Sequence, residues 1–136
     1  MTRTRVAVST GFFLQGFVFA ALVTQVPRQQ DRFDFGEGLV TALLVLVAVV
    51  AGVGSVLAGV VAERRDSAVA FRLSLVTIAL ATLVIGVAPS LAVMLVGYVV
   101  YGIGLGGVDA TMNMQGVRVQ AAYGRSLMTG FHGLWS

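Results

Sequence analysis

The sequence predicts an all-α polytopic membrane helix bundle, with four transmembrane helices and the start of a fifth. Hydrophobic residues make up 57% of the 136-residue chain, charged residues make up 11%, and the mean hydropathy is +0.93. A soluble domain carries about 25% charged residues, so a chain with so few charges cannot cover a water-exposed surface. Long uncharged runs in lipid form helices, because each backbone N–H and C=O needs a partner within its own segment.

Three uncharged runs place the four helices. Residues 6–26 and 38–62 are each long enough for one span of about 20 residues. The run 73–108 is too long for one span, and the sequence APS at residues 88–90 supplies a turn that divides it. A cleaved secretory signal is the alternative for the first run, but its length and the spans after it favour a retained helix. The predicted helices are 6–26, 38–62, 71–88 and 90–115.

The end of the chain reads SLMTGFHGLWS, an apolar segment that predicts a fifth helix beginning over residues 127–136. These residues reach about half way across a bilayer at about 1.5 Å per residue. We therefore expect the chain to be the amino-terminal piece of a longer membrane protein, whose missing helices would complete the bundle. A gene remnant or a complete small protein is the alternative.

Arginine placement predicts the orientation. Arg28 and Arg32 lie at one end of the predicted helices beside three acidic residues, and seven arginines lie at the other end. Because an arginine excess marks the cytoplasmic side, we expect a multi-pass cell-membrane protein with a cytoplasmic amino terminus, an external connection 27–37 and an internal connection 63–72. The arginines form no clustered basic face, so nucleic acid is not an expected partner. The seven are Arg3, Arg5, Arg64, Arg65, Arg72, Arg118 and Arg125.

The glycine-rich run GIGLGG at residues 102–107 matches the G-x-G-x-x-G of dinucleotide-binding loops. That loop needs a preceding strand and an acidic residue about 20 residues further on, and there is no acidic residue near Leu127. Helix packing explains the glycines better, because small residues four apart let two membrane helices approach closely. The pairs with this spacing are Gly102 and Gly106, Gly16 and Ala20, and Ser55 and Gly59.

Candidate site residues share one face of the fourth predicted helix. At about 100° per residue, Tyr98, Asp109 and Asn113 fall within about 60° of one another. An intramembrane carboxylate is costly unless it faces a wet cavity or a partner. Asp109 is therefore expected to carry a proton or to accept a hydrogen bond from a polar substrate. The alternative places Asp109 near the headgroups, paired with Arg118 or Arg125.

Two further side chains enter this interpretation. Gln15 lies near the middle of the first helix and is expected to face the bundle interior, lining a cavity or bonding a neighbouring helix. His132 and Trp135 belong to the beginning fifth helix, where we expect a structural role. The chain has no cysteine and one histidine, so the pattern indicates neither a metal site nor a cofactor.

Taken in order, these segments resemble the amino-terminal part of a major facilitator superfamily transporter, in the branch related to fucose permease. The resemblance runs through the loop PRQQDRFDFGEG, the helix end GVVAERR and the closing segment GGVDATMNMQGVRVQAAYGRSLMTGFHGLWS. Gly59 and Arg64 match the superfamily signature G-x-x-x-D-R-x-G-R-R between helices two and three. Glu63 replaces its aspartate, and its later glycine is absent.

The resemblance implies a secondary active carrier and no enzyme activity. It implies twelve helices in two halves that move a small solute, sugar-like and coupled to protons, by alternating access. By position, Asp109 and Asn113 match the fourth-helix polar site of sugar–proton symporters, with Gln15 contributed by the first helix. The alternatives are a four-helix anchor or assembly factor without transport activity, and an oligomeric multidrug exporter.

Overall fold

The computed structural model describes residues 2–124 and 126–136, and within them the regular structure is helical. Four segments are long and apolar enough to cross a membrane, and the first of them, Arg5–Phe33, joins α1 and α2. The predicted all-α membrane bundle is therefore confirmed. The helices are α1 (Thr2–Thr24), α2 (Val26–Phe33), α3 (Glu37–Arg64), α4 (Ser67–Val87), α5 (Leu91–Tyr123) and α6 (Met128–Trp135).

The observed helix ends differ from the predicted ones. α5 continues to Tyr123 instead of ending at residue 115, and α4 begins at Ser67 instead of residue 71. The segment 27–37, predicted as a connection, contains most of α2, with Pro27 in its first turn. The reason is that hydropathy marks the part of a helix in hydrocarbon, whereas polar residues outside it continue the helix in water.

Polar caps set the beginnings of α4 and α5. The Asp66 carboxylate accepts a hydrogen bond from the Ala68 N–H at 3.1 Å, and the Ser90 hydroxyl accepts one from the Val93 N–H at 3.4 Å. The Ala68 N–H lowers the pKa of Asp66, because it stabilises the charged carboxylate. α5 ends at Gly124, whose φ of 66° lies in the left-handed region that glycine adopts at little cost.

α5 is the central helix and packs mainly against α3 and α4. Gly106 lies so close to α3 that a methyl group there would overlap the carbonyl oxygen of Ala51. Gly54 of α3 meets the backbone of Ile103 in the same way, and a methyl at Gly102 would lie 3.1 Å from the carbonyl oxygen of Val47. Because such contacts need residues without a side chain, the predicted packing role of Gly102 and Gly106 is confirmed.

A second set of α5 glycines faces α4. A methyl at Gly104 would lie 2.9 Å from a side-chain carbon of Ile78, and one at Gly107 would overlap the Ser74 hydroxyl. The glycines of the G-x-G-x-x-G run therefore lie inside a helix and let two neighbouring helices approach its backbone closely. This placement agrees with the packing interpretation of the run.

The predicted packing pair on α3 is wrong. Nothing lies within 4 Å of a methyl placed at Gly59, whereas Gly54 and Ala58 are the buried small residues of this helix. A spacing of four identifies a possible packing face, but it does not tell which of two adjacent faces meets the neighbour. On α1, Gly16 does contact the backbone of α6, at Trp135.

α1 lies at the side of this core. It packs against α6 and α5 and barely contacts α3. The Phe12 ring stacks on the Phe131 ring of α6, with 5.7 Å between the centroids. Because α1 and α3 both contact α5 without closing on each other, a space remains between them.

Candidate functional site

A cavity of about 470 Å³ occupies the space between α1, α3, α5 and α6. Small residues of α3 and α5 form one side, and aromatic rings of α1 and α6 form the other. Its polar groups come from all four helices. The lining residues are Phe12, Gln15, Phe19, Ala51, Gly52, Ser55, Leu105, Gly106, Asp109, His132 and Trp135.

The cavity lies near the middle of the spans. Arg118 donates a hydrogen bond from Nη1 to Ser67 Oγ at 3.2 Å, and the Arg5 guanidinium lies 5.8 Å from the Tyr123 ring centroid. These two contacts mark one end of the bundle. Asp109 lies about 14 Å from Arg118 along α5, at about 1.5 Å per residue, which is close to half of a ~30 Å hydrocarbon core. The carboxylate therefore lies well inside the span.

The local contacts of Asp109 favour a cavity-facing role. Its side chain is exposed, and Asn113 Nδ2 donates to the Asp109 carbonyl oxygen at 2.8 Å and to its Oδ1 at 3.3 Å. Arg118 lies about 180° away around the helix, at about 100° per residue, so it cannot pair with this carboxylate. Arg125, the other expected partner, lies outside the described residues. The structure therefore places Asp109 and Asn113 together.

Gln15 shares the cavity with Asp109. Its side chain is only 5% exposed, and its Oε1 is buried without a hydrogen-bond partner among the described residues. A buried acceptor left unpaired costs about 1–3 kcal/mol. This oxygen is enclosed by protein atoms, so Gln15 borders the cavity through the rest of its side chain.

Tyr98 lies apart from this site. Its hydroxyl donates to Gln29 Oε1 at 2.6 Å, and both side chains are buried, so the bond ties α2 to α5. Tyr98 lines a narrow apolar pocket of about 40 Å³ with Tyr101. Tyr98 and Asp109 share a face of α5 but lie about 16 Å apart along its axis. The structure therefore does not bring Tyr98 to the cavity.

Sequence reasoning missed two polar groups of the cavity. Ser55 was considered only for packing, yet it is a hydroxyl within the long apolar stretch of α3, and its Oγ donates to the Gly52 carbonyl oxygen at 2.8 Å. His132 was expected to be structural, and its Nδ1 lies 2.9 Å from the Met128 carbonyl oxygen. Since a carbonyl only accepts, Nδ1 carries the proton and Nε2 of the neutral ring is an acceptor.

The residues of the loop signature lie away from the cavity. Glu63 and Arg64 are exposed in the last turn of α3, and Gly59 lies about one turn earlier. Within residues 2–124 and 126–136, no three metal-ligating side chains lie together. The functional geometry of the described chain is therefore concentrated in the cavity.

Apolar helices long enough to span a membrane thus surround a cavity that contains polar groups. A family model described as Major Facilitator Superfamily matches residues 1–136. The chain belongs to the major facilitator superfamily. Its membership in the branch related to fucose permease stays a prediction.

Two curated proteins are similar to the chain. One is an uncharacterized MFS-type transporter of Yersinia pestis, 32% identical over 136 residues, which cover 97% of this chain and 34% of that protein. The other is an uncharacterized transporter of Sinorhizobium fredii, 22% identical over 129 residues, which cover 95% of this chain and 34% of that protein. The chain thus spans about a third of the length of these relatives. No solved structure matches it.

Proposed function

We propose that this chain forms part of a secondary active transporter that moves a small solute by alternating access. The observation that carries the proposal is the mid-membrane cavity, which the exposed carboxylate of Asp109 lines together with the side chain of Gln15. Membership in the superfamily and the names of both relatives support it. Substrate sites of such carriers lie near the membrane midplane between two repeats.

Asp109 is the proposed coupling residue. A carboxylate in a membrane cavity can alternate between a neutral protonated form and a charged form, and it thereby links a solute to a proton gradient. Asn113 orients this carboxylate, and Gln15 contributes to solute binding. The resemblance to the fucose permease branch supports a sugar-like solute and proton symport as the finer form of this proposal.

The arginine distribution supports a cell-membrane location with a cytoplasmic amino terminus. In that orientation Gly59, Glu63 and Arg64 lie toward the cytoplasmic side, where the superfamily signature contributes to gating. Tyr98 is then proposed to stabilise the external end of α5 through Gln29 instead of binding the solute directly.

Replacing Asp109 tests the coupling role. In membrane vesicles from cells that express the full-length transporter containing this chain, we expect Asp109→Asn to reduce solute-induced proton movement to background, because an amide does not titrate near neutral pH. Pyranine trapped in the vesicles reports the proton movement, with L-fucose, D-glucose and phenethylamine as probes. Asp31→Asn on α2 is the matched control and should leave the signal unchanged. Proton movement that survives Asp109→Asn would refute the coupling role.

The length of the chain gives a second expectation. Alternating access needs two halves that move around a shared site, and this chain supplies four spanning segments. We therefore expect the 136-residue chain alone, reconstituted in liposomes, to show no gradient-driven uptake of the same probes. Uptake by this chain alone would contradict the two-half mechanism.

A further inference from the structure

We infer that the cavity binds a small organic amine as its protonated cation, with the ammonium group at Asp109. This inference rests on the proposed carrier with Asp109 at its site, and it replaces the sugar-like solute and the symport implied by the resemblance with an amine that is exchanged for protons. It depends on the hydrogen-bonding character of the lining, on its charge and on its aromatic rings.

The polar groups that face the cavity are mostly acceptors. Asp109 is an acceptor when ionised, and His132 in its neutral form has Nε2 as an acceptor when Nδ1 donates to the Met128 carbonyl oxygen. Ser55 uses its proton on the Gly52 carbonyl oxygen and keeps its oxygen lone pairs. The donors of the lining are the indole N–H of Trp135 and the amide nitrogen of Gln15. A solute rich in donors, such as an ammonium group, complements this set.

The charge on the described cavity lining is negative. Among the described residues, the lining contains the Asp109 carboxylate and neither arginine nor lysine. On α5 the nearest described arginine, Arg118, points to the opposite face and bonds Ser67. A carboxylate or phosphate solute would therefore meet a negative group without a cationic partner, and such like-charge placement is unfavourable.

Aromatic rings line the side of α1 and α6. Phe19 stacks with Trp135 at 6.0 Å between centroids, and Phe12 lies 5.2 Å from the His132 ring. Aromatic faces attract cations, and desolvated sites strengthen that attraction. The same rings provide apolar surface for a carbon skeleton. The volume of about 470 Å³ falls in the range of small-molecule sites.

Protons should compete with the amine. Asp109 cannot hold a proton and an ammonium cation in its charged form at once, so acid weakens binding. The titratable groups that face the site are Asp109 from α5 and His132 from α6, since α1 contributes Gln15 and α3 contributes Ser55. Protonated His132 would repel the cation as well, so both groups act in the same direction. The transporter would therefore exchange the amine for protons.

A matched pair of probes tests the substrate class. Phenethylamine and 2-phenylethanol have similar shapes and differ in the ammonium group. Trp135 is the only tryptophan of the chain and lines the cavity, so its fluorescence reports binding to the full chain in phosphatidylcholine nanodiscs. We expect saturable quenching by the amine, with binding at least about tenfold tighter than that of the alcohol, a ratio equal to ~1.4 kcal/mol.

Charge variants complete the test. Asp109→Asn should weaken amine binding by at least about tenfold, Asp109→Glu should retain the preference for the amine, and Asp31→Asn should change nothing. Equal binding of amine and alcohol, or full amine affinity in Asp109→Asn, would overturn the inference. If L-fucose moves protons in vesicles in an Asp109-dependent manner while the amine does not, the proposed carrier function is supported and the amine as its substrate class is refuted. If none of the probes moves protons through Asp109, both proposals fail.

Discussion

Asp109 and Gly106 lie about one turn apart on α5, and they contribute to the cavity in opposite ways. Gly106 has no side chain, so the α3 backbone at Ala51 comes close and closes one side of the cavity. Asp109 projects a carboxylate into the space that remains, held by Asn113. At the scale of single residues, the cavity therefore depends on a missing methyl group as much as on a charge.

Substituting Gly106 tests this dependence. Gly106→Ala places a methyl against the Ala51 carbonyl oxygen, and we expect a loss of about 1–3 kcal/mol of unfolding free energy from overpacking. Thermal or denaturant unfolding of the chain in detergent micelles measures it. Gly86→Ala on α4 is the matched control, because nothing lies within 4 Å of a methyl there. Equal stability of the two variants would show that α3 and α5 can separate at no cost.

Among the helices, α6 is short and relies on a side chain of α5 for its placement. Gln120 Oε1 accepts hydrogen bonds from the N–H groups of Leu127 at 3.0 Å and Met128 at 3.2 Å. The first N–H groups of a helix have no partner within the helix, so this amide caps α6. Through that cap Gln120 helps to position His132 and Trp135 at the cavity.

Removing the cap should loosen α6. We expect Gln120→Ala to cost about 1 kcal/mol of local stability, the usual value of a lost helix cap. Hydrogen exchange of the Leu127 and Met128 amides should accelerate, and the Trp135 fluorescence should shift. Gln120→Glu keeps an acceptor oxygen and should restore slow exchange, while Gln115→Ala on the same helix serves as the control. Unchanged exchange in Gln120→Ala would show that packing alone holds α6.

At the scale of the whole molecule, the proposed orientation in the membrane follows from the distribution of the arginines. Arg118, Ser67, Arg5 and Tyr123 meet at one end of the bundle, which is the arginine-rich end of the sequence. Arg28 and Arg32 of α2 lie beyond the opposite end of α1. The fold therefore separates the two groups of arginines on which the proposed orientation depends.

The absence of cysteine from the sequence makes orientation directly measurable. A single Asp31→Cys should react with a membrane-impermeant maleimide added to intact cells, because α2 is proposed to be external. A single Arg65→Cys between α3 and α4 should react after permeabilisation alone. The reverse labelling pattern would place the amino terminus outside.

The preference of each segment for lipid or for water was sufficient to predict much of this architecture. Each uncharged run of about 20 residues must satisfy its own backbone in lipid, so the four spans and the helical class follow from local composition. The midspan position of Gln15 follows in the same way, because a helix has a constant rise per residue, whereas the sequence leaves the depth of Asp109 open between midspan and the headgroups. The end of α5 at Tyr123 does not follow, since hydropathy does not report helices in water.

Which side chains contact one another is determined by the packing of the helices in the tertiary structure. Tyr98 shares a face of α5 with Asp109, but it lies at a different position along the helix axis, where its hydroxyl donates a hydrogen bond to Gln29. Gly54 and Ala58, instead of Ser55 and Gly59, meet α5, and this rotation of α3 leaves Ser55 at the cavity. His132 joins the site because α6 packs against α1. The periodicity of a sequence describes one helix at a time. The rotation of each helix about its axis and its axial position relative to its neighbours are set by close contacts of glycines and aromatic rings that lie far apart in the chain.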